Sequence, residues 1–373
     1  MKIGFDAKRA FHNTTGLGNY SRTLINSLTS LYPQHDYFLF NTKPSSLYQN
    51  KHAREIVPQS TLSKLLPSIW RSKWILNDLE KLNIDLYHGL SHEIPLDIHK
   101  TNVKSIVTIH DLIPERYPQQ YKKIDVQIYH KKFLYACKYA DKVIAISEQT
   151  RRDIIDFYKT PEEKITVCYQ SCHPSFAEEV DEATKQLVAS KYSLPSSYYL
   201  SVGSIIERKN LLSVCKAMSL SNNNIPLVII GDGGAYKVVV KEFITANKLT
   251  NRVIFLSDAL PKPAFEDLPA IYQSATAMIY PSTFEGFGLP VLEALFSRLP
   301  VITSNVSCLP EAGGDAALYV DPLSPEQIAE AMNKIAYDIP LVASMKEKGW
   351  LHAQKFTAEK CAASVMKVYQ SIW

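Results

Sequence analysis

The sequence predicts an α/β protein built from two doubly wound parallel sheets. Short apolar, β-branched runs alternate with helical stretches along the chain, and the pattern pauses near Gln170 and restarts after Pro195. Glycines and charged residues directly follow several of these runs, which predicts ligand sites at the carboxyl ends of strands.

In the first half the predicted strands are 2–6, 36–41, 84–89, 104–111, 142–147 and 165–169. In the second half they are 198–205, 226–231, 252–257, 275–281, 300–304 and 317–321. The segment 170–195, rich in Ser, Pro and acidic residues, reads as a hinge followed by a surface helix. These boundaries give a Rossmann-like domain over 1–170, a second over 171–356, and a C-terminal helix over 357–373 that folds back on the first domain. A cleft is expected between the two domains. Thr357 is the expected N-cap of that last helix, with Val365, Val368, Tyr369 and Trp373 near one face.

With 373 residues, 46% of them apolar and 21% charged, the chain has room for two ordinary domains and a substantial core. It shows no long uncharged apolar run, and the charged stretch from Met1 to Arg9 lacks a signal peptide's hydrophobic segment, so a cytoplasmic protein is expected. The six cysteines are scattered; only Cys168 and Cys172 lie close, with no second cluster to complete a zinc site, so reduced thiols filling the core are expected.

Net charge is +4 but uneven: residues 1–170 hold 24 Lys+Arg against 17 Asp+Glu (+7), leaving 17 against 20 (−3) for the rest. The doublets Lys122-Lys123, Lys131-Lys132 and Arg151-Arg152 suit peripheral contact with an anionic membrane surface, a phosphorylated acceptor, or simply water. Nucleic acid is disfavoured as a partner, because the excess is modest and no aromatic-basic recognition motif accompanies it.

The residues pointing to chemistry concentrate in the second half. After the predicted strand 275–281 come Glu285, Gly286, Phe287, Gly288, Leu289, Pro290 and Glu293. The glycines free the backbone, Pro290 suits a first helical turn, and the amides of that turn are an anion site. Glu285 and Glu293 beside it suit the hydroxyls of a ribose or hexose. A sugar nucleotide satisfies both demands; an ordinary crossover with solvated glutamates is the competing reading.

Arg208 and Lys209 follow the strand that ends near Gly203, where two cations can neutralise a diphosphate as its bond to a sugar breaks. Gly231, Asp232, Gly233 and Gly234 end another strand and suit a tight turn near the nucleotide. In the first half, Gly16 and Gly18 lie between the first strand and a helix and permit close backbone approach to a bound group, although a flexible turn explains them equally. His110 closes the strand 104–111, again at a carboxyl end, where a packing or hydrogen-bonding histidine is the competing reading.

Other enzyme classes fit less well. A retaining glycosidase wants carboxyl groups about 5 to 5.5 Å apart, whereas eight helical residues span about 12 Å. The G-x-S-x-G elbow of a serine hydrolase and the H-E-x-x-H of a zinc enzyme are absent.

Taken in order, Gly16 and Gly18, His110, Gly203 with Arg208 and Lys209, and the E-x7-E motif of Glu285 and Glu293 resemble the retaining family 4 glycosyltransferases over nearly the whole chain. The phrases 109–114 and 304–313 look most like the bacterial mannosyltransferases of O-antigen and capsule synthesis.

The resemblance implies the GT-B fold, with two facing Rossmann-like domains. It also implies roles: Arg208 and Lys209 on the donor diphosphate, amides of Phe287, Gly288 and Leu289 completing the cradle, and Glu293 on the ribose. Glu285 and His110 would lie beside the donor hexose, with Gly16 and Gly18 leaving room for diphosphate and acceptor. No metal or other cofactor is implied.

GDP-mannose is the preferred donor and a glycan or polyprenyl-linked glycan the acceptor. The connection Ser257 to Pro263, which departs from the family pattern near the base, keeps a UDP-hexose open. A nucleotide-sugar epimerase and a two-domain sugar-binding protein are the alternatives from other classes.

Overall fold

The structure is a computed structural model and describes residues 1–373. The backbone divides into two compact units, Met1–Cys172 together with Phe356–Trp373, and His173–Lys355.

The first unit is built on a seven-stranded sheet ordered β3-β2-β1-β4-β5-β6-β7. Its strands are β1 (Lys2–Asp6), β2 (Asp36–Phe40), β3 (Arg54–Ile56), β4 (Leu86–Gly89), β5 (Lys104–Ile109), β6 (Lys142–Ala145) and β7 (Ile165–Val167). The second unit holds six strands ordered β10-β9-β8-β11-β12-β13. These are β8 (Tyr199–Val202), β9 (Leu227–Ile230), β10 (Val253–Phe255), β11 (Ala277–Tyr280), β12 (Val301–Ser304) and β13 (Leu318–Val320).

Every pairing in both sheets is parallel. In each unit the first strand lies beside the fourth, and the order runs outward in opposite directions from that pair. That reversal is the switch point where crevices open at the carboxyl ends of strands.

All twelve predicted strands are present, the first at its predicted bounds and the other eleven trimmed at one or both ends. Elements that escaped the sequence reading include β3, a short edge strand carrying Arg54 and Glu55, and a helix at Lys8–His12 directly after β1. Central strands such as β11 and β12 are buried at every position, because helices cover both faces of a parallel sheet and select continuous apolar runs. Period-two alternation divides the first unit's core: Tyr37 and Leu39 of β2 join the layer with Ile3, Phe5 and Leu28, while Phe38 and Phe40 join the opposite layer with Tyr87 and Val107.

The helix Ala358–Gln370 belongs to the first unit and packs against the helix Gly16–Leu31. Thr357 caps it by accepting the Lys360 amide hydrogen. Val365, Val368 and Tyr369 are buried on the predicted face, but Trp373 is 68% exposed: the helix ends at Gln370 and the last residue leaves the stripe.

The Tyr369 hydroxyl lies 2.7 Å from His88 Nδ1, and His88 Nε2 lies 2.8 Å from Thr108 Oγ1, which also meets the Tyr20 hydroxyl at 3.1 Å. Burial lowers the His88 pKa to about 3, so this buried chain is neutral. Tyr369→Phe would leave His88 Nδ1 without its partner and is expected to destabilise the protein by about 1–3 kcal/mol; an unchanged urea midpoint would refute that tether.

All six cysteines are buried free thiols. No helix is long and apolar enough to cross a membrane. Two of the basic doublets are partly neutralised, Arg151 by Glu148 and Glu162, and Lys132 by Glu93.

Candidate active site

Two loops meet at the switch point of the second unit. The one after β8 contains a short 3-10 turn, Glu207–Lys209, and the one after β11 runs from Pro281 to Gly288 into the helix Leu289–Phe296. They are stitched together by main chain: the Thr283 amide and the Ser282 hydroxyl both donate to the Arg208 carbonyl, at 2.8 and 2.9 Å. Asn210, in the left-handed region at φ 61°, donates from its side chain to the carbonyls of Pro281 and Pro322.

This framework brings Arg208, Lys209 and Glu285 into one cluster. Arg208 Nη1 lies 2.9 Å and Lys209 Nζ 2.6 Å from Glu285 Oε1, which also accepts from the Ser282 hydroxyl at 2.6 Å and the Tyr280 hydroxyl at 3.1 Å. Arg208 also donates to the Phe284 carbonyl, and Lys209 to the Tyr280 hydroxyl. A third loop braces the carboxylate's backbone: Ser307 Oγ accepts from the Glu285 amide and donates to its carbonyl, and Cys308 Sγ approaches the same carbonyl.

The cluster's electrostatics follow from burial. Burial alone would raise the Glu285 pKa, but Lys209 and Arg208 override it and hold the carboxyl at about 2. Burial lowers the pKa of Lys209, against the opposing charge of Glu285. With side chains only 10–18% exposed, these three residues together carry one excess positive charge. Buried charge is costly unless it is matched, so the cluster is chemically suited to an anion.

Gly203 and Gly231 lie where strands β8 and β9 end, and they touch. A Cβ at Gly231 would fall 1.8 Å from the Gly203 carbonyl oxygen, while Gly203 itself runs under the Lys209 side chain. Of the two glycines in the motif, only Gly288 takes a left-handed backbone, at φ 101°, and a Cβ there would meet Leu309 at 2.9 Å. It turns the chain into the helix that starts at Leu289, with Pro290 in its first turn, placing the positive end of that helix beside Phe287 and Gly288.

Glu293, one turn further on, accepts from the Tyr272 hydroxyl at 2.7 Å. Burial pushes its pKa up to about 7, with the Tyr272 bond and the charge of Lys209 opposing. The two glutamates thus sit in opposite electrostatic settings, a permanent anion at Glu285 and a titrating carboxyl at Glu293. No group of three or more His, Cys, Asp or Glu side chains is placed to hold a metal ion.

In the first unit, two sequence-predicted glycines sit differently from the reading that singled them out, whereas His110 lies at the carboxyl end of β5 as expected. Gly16 and Gly18 are not in a loop but open the helix Gly16–Leu31. Gly18 has a packing reason, since a Cβ would lie 1.8 Å from the Asn13 carbonyl oxygen, and its amide already donates to the Asn13 side chain. His110 is buried with both ring nitrogens engaged, Nε2 by the Leu90 carbonyl at 2.8 Å and Nδ1 by the Gln170 amide at 2.7 Å. Burial and the neighbouring His92 lower its pKa to about 3. With its one proton committed to the Leu90 carbonyl and its lone pair to the Gln170 amide, the neutral imidazole has only its carbon edge left to meet a ligand.

Sequence reasoning missed Tyr272, Tyr280, Ser282, Asn210, Ser307 and Cys308. The signal was faint: Ser282 and Ser307 follow β11 and β12 at their carboxyl ends, but their convergence on Glu285 exists only once those strands pair.

Comparison with known proteins places this architecture. The chain superimposes over its whole length on sucrose-phosphate synthase from Thermosynechococcus elongatus (TM-score 0.79, 20% identity, 100% of this chain and 99% of that one). It also matches WaaG, a glycosyltransferase involved in lipopolysaccharide biosynthesis (TM-score 0.72, 15% identity, 99% of each chain). The fold class is therefore GT-B.

Residues 14–174 match the model of Glycosyltransferase Family 4 and residues 182–352 that of Glycosyl transferases group 1. The chain belongs to the family 4 glycosyltransferases and is a transferase. Among curated proteins it is 26% identical to the O-antigen chain mannosyltransferase B of Escherichia coli, over 99% of this chain and 100% of that protein. It is 29% identical to the O-antigen chain mannosyltransferase RfbU of Salmonella typhimurium, over 74% of this chain and 73% of that one.

Proposed function

We propose that the protein transfers mannose from GDP-mannose to a hydroxyl of a glycan or polyprenyl-linked glycan, with retention at the anomeric carbon and without a metal ion. The observation that carries this reading is the buried cluster of Arg208, Lys209 and Glu285, whose excess positive charge suits a diphosphate. Mannose is supported by the relatives above, both named as mannosyltransferases.

In this reading the bond from the anomeric carbon to the diphosphate oxygen breaks, and the acceptor oxygen bonds to the same face of the sugar. The acceptor's proton passes to the departing phosphate oxygen. Arg208 and Lys209, with the amides at the start of the helix Leu289–Phe296, hold the negative charge that grows on that oxygen. Fixed cations then do the work a divalent ion does in other transferases. Glu285 holds both cations through Oε1 and faces the donor hexose, and Glu293 accepts from the ribose hydroxyls.

A thermal-shift series with GDP-, UDP- and ADP-sugars tests the donor. GDP-mannose is expected to raise the melting temperature most, by the equivalent of about 2.7 kcal/mol at a hundred times its Kd. A larger shift from a UDP-hexose would replace the donor. NMR of the product from GDP-mannose and methyl α-mannoside, with chelator present, tests the rest: a β-linked product would refute retention, and loss of activity to chelator would refute metal independence.

A further inference from the structure

We infer that His92 holds a hydroxyl of the acceptor sugar in the first unit, offering its imidazole Nε2–H beyond the carboxyl end of β4. This rests on the transferase reading for the word acceptor, but its structural basis is independent of the donor site.

The ring is nine-tenths buried, neither nitrogen has a hydrogen-bond partner, and Nδ1 is fully enclosed. Buried polar atoms are paired in the large majority of cases, so each exception asks for a reason. An orphaned lone pair is tolerated better than an orphaned N–H. The proton therefore belongs on Nε2, and Nε2 is the nitrogen left to meet a ligand.

The surroundings fix this ring firmly without satisfying it. It stacks on Phe133 with centroids 4.4 Å apart and meets His110 at 5.2 Å. Its backbone is left-handed at φ 63°, a conformation that persists in a non-glycine residue only where neighbours enforce it and that gathers at functional sites.

Here the enforcement is visible. The His92 amide donates to the Thr108 carbonyl at 2.9 Å, and the Glu93 carboxylate is gripped by Arg71 at 3.0 Å and Lys132 at 3.2 Å. Arg71 in turn binds Asp6 at the end of β1 from a π-helical turn, Trp70–Trp74, a rare backbone form that also favours functional sites. Because β1 and β4 are neighbours, these residues surround the switch point of the first sheet.

Burial, with a smaller contribution from Arg9, lowers the His92 pKa to about 3, so the imidazole is neutral. A neutral donor suits an uncharged sugar hydroxyl better than a phosphate.

Saturation-transfer NMR with methyl α-mannoside, methyl α-glucoside and methyl α-galactoside on the full chain tests this. At least one hexoside is expected to give a signal with the wild type, weakened about fivefold in His92→Phe, the change that one lost hydrogen bond brings. His92→Phe keeps the ring and its stacking on Phe133, so its melting temperature should match the wild type. His92→Asn, which tolerates the left-handed backbone and retains an N–H donor, should recover part of the signal and serves if the phenylalanine variant misfolds.

No signal from any hexoside on the wild type, or an equal signal in the variants, would overturn the assignment. The GDP-mannose thermal shift, read in the same samples, reports on the second unit. Its absence with an intact His92-dependent hexoside signal would sink the donor reading and leave this one standing.

Discussion

Lys209→Ala is expected to lower turnover by about 10²–10³-fold, the usual effect of removing one group aimed at developing negative charge, while weakening donor binding by less than tenfold. The asymmetry follows from where the charge appears. In the proposed reaction a bound donor diphosphate would already be met by Arg208 and the helix start, whereas the negative charge released on bond cleavage would fall to the nearest compact cation. Lys209 is that cation in the proposed reaction, since its ammonium lies 2.6 Å from Glu285 Oε1 and is buried with it.

The substitution also removes one of the carboxylate's two cations. Removing one partner from a buried ion pair costs about 3–5 kcal/mol, and the Glu285 pKa, held at about 2 by both cations, should rise. A melting curve must therefore accompany the kinetics. Lys209→Arg, which keeps the charge with a different shape, should retain the fold and lose part of the turnover. Full turnover in a folded Lys209→Ala enzyme would remove the leaving-group role.

Glu293→Gln is expected to make the unliganded protein more stable above neutral pH and to weaken its hold on donor. The folded pKa of about 7 stands above the ordinary 4.5. Below 4.5 the group is neutral whether folded or not, and the carboxyl costs nothing. Between 4.5 and 7 the unfolded chain ionises while the folded one resists, so stability falls as pH rises; above 7 the loss is complete.

The side chain is not wholly enclosed, which discounts the penalty to about 1–3 kcal/mol. Glutamine removes that penalty while still accepting from Tyr272, so the variant should melt higher at pH 8 and unchanged at pH 4. Donor affinity should fall by about 1–3 kcal/mol, the worth of a charged hydrogen bond to ribose. Equal melting temperatures at pH 8 would contradict the buried-carboxyl argument, and unchanged donor affinity would contradict the ribose assignment. A residue that lowers stability for the sake of binding is a common mark of a functional site.

Much of the second unit's candidate site was legible because it is local. Gly288, Leu289, Pro290 and Glu293 lie within one turn-and-helix segment, where backbone freedom, helix start and charge can be read from neighbours. His110 could be placed at the end of β5 by the same reasoning, but not its two hydrogen bonds, which come from Leu90 and Gln170. The helical placement of Gly16 and Gly18 was not legible, because a glycine pair after a strand looks alike whether it frees a loop or opens a helix whose Gly18 packs on Asn13.

His92 left no trace in the sequence, since an unpaired buried nitrogen is defined by what does not surround it. The same holds for β3, whose charged residues at the sheet edge look like any surface loop.

The linear order of residues determined the alternation of strands and helices, the restart after Pro195, and the chemical kinds of side chain at strand ends. Those follow from periodicity and backbone preference, which act over a few residues. Tertiary structure decided that Glu285 serves as the shared counter-ion of Arg208 and Lys209, that Glu293 titrates near neutrality, and that Tyr369 anchors the last helix on His88. Each depends on burial and on partners from other strands or helices. Desolvation and Coulomb energies are set by distance in space, which sequence separation does not give.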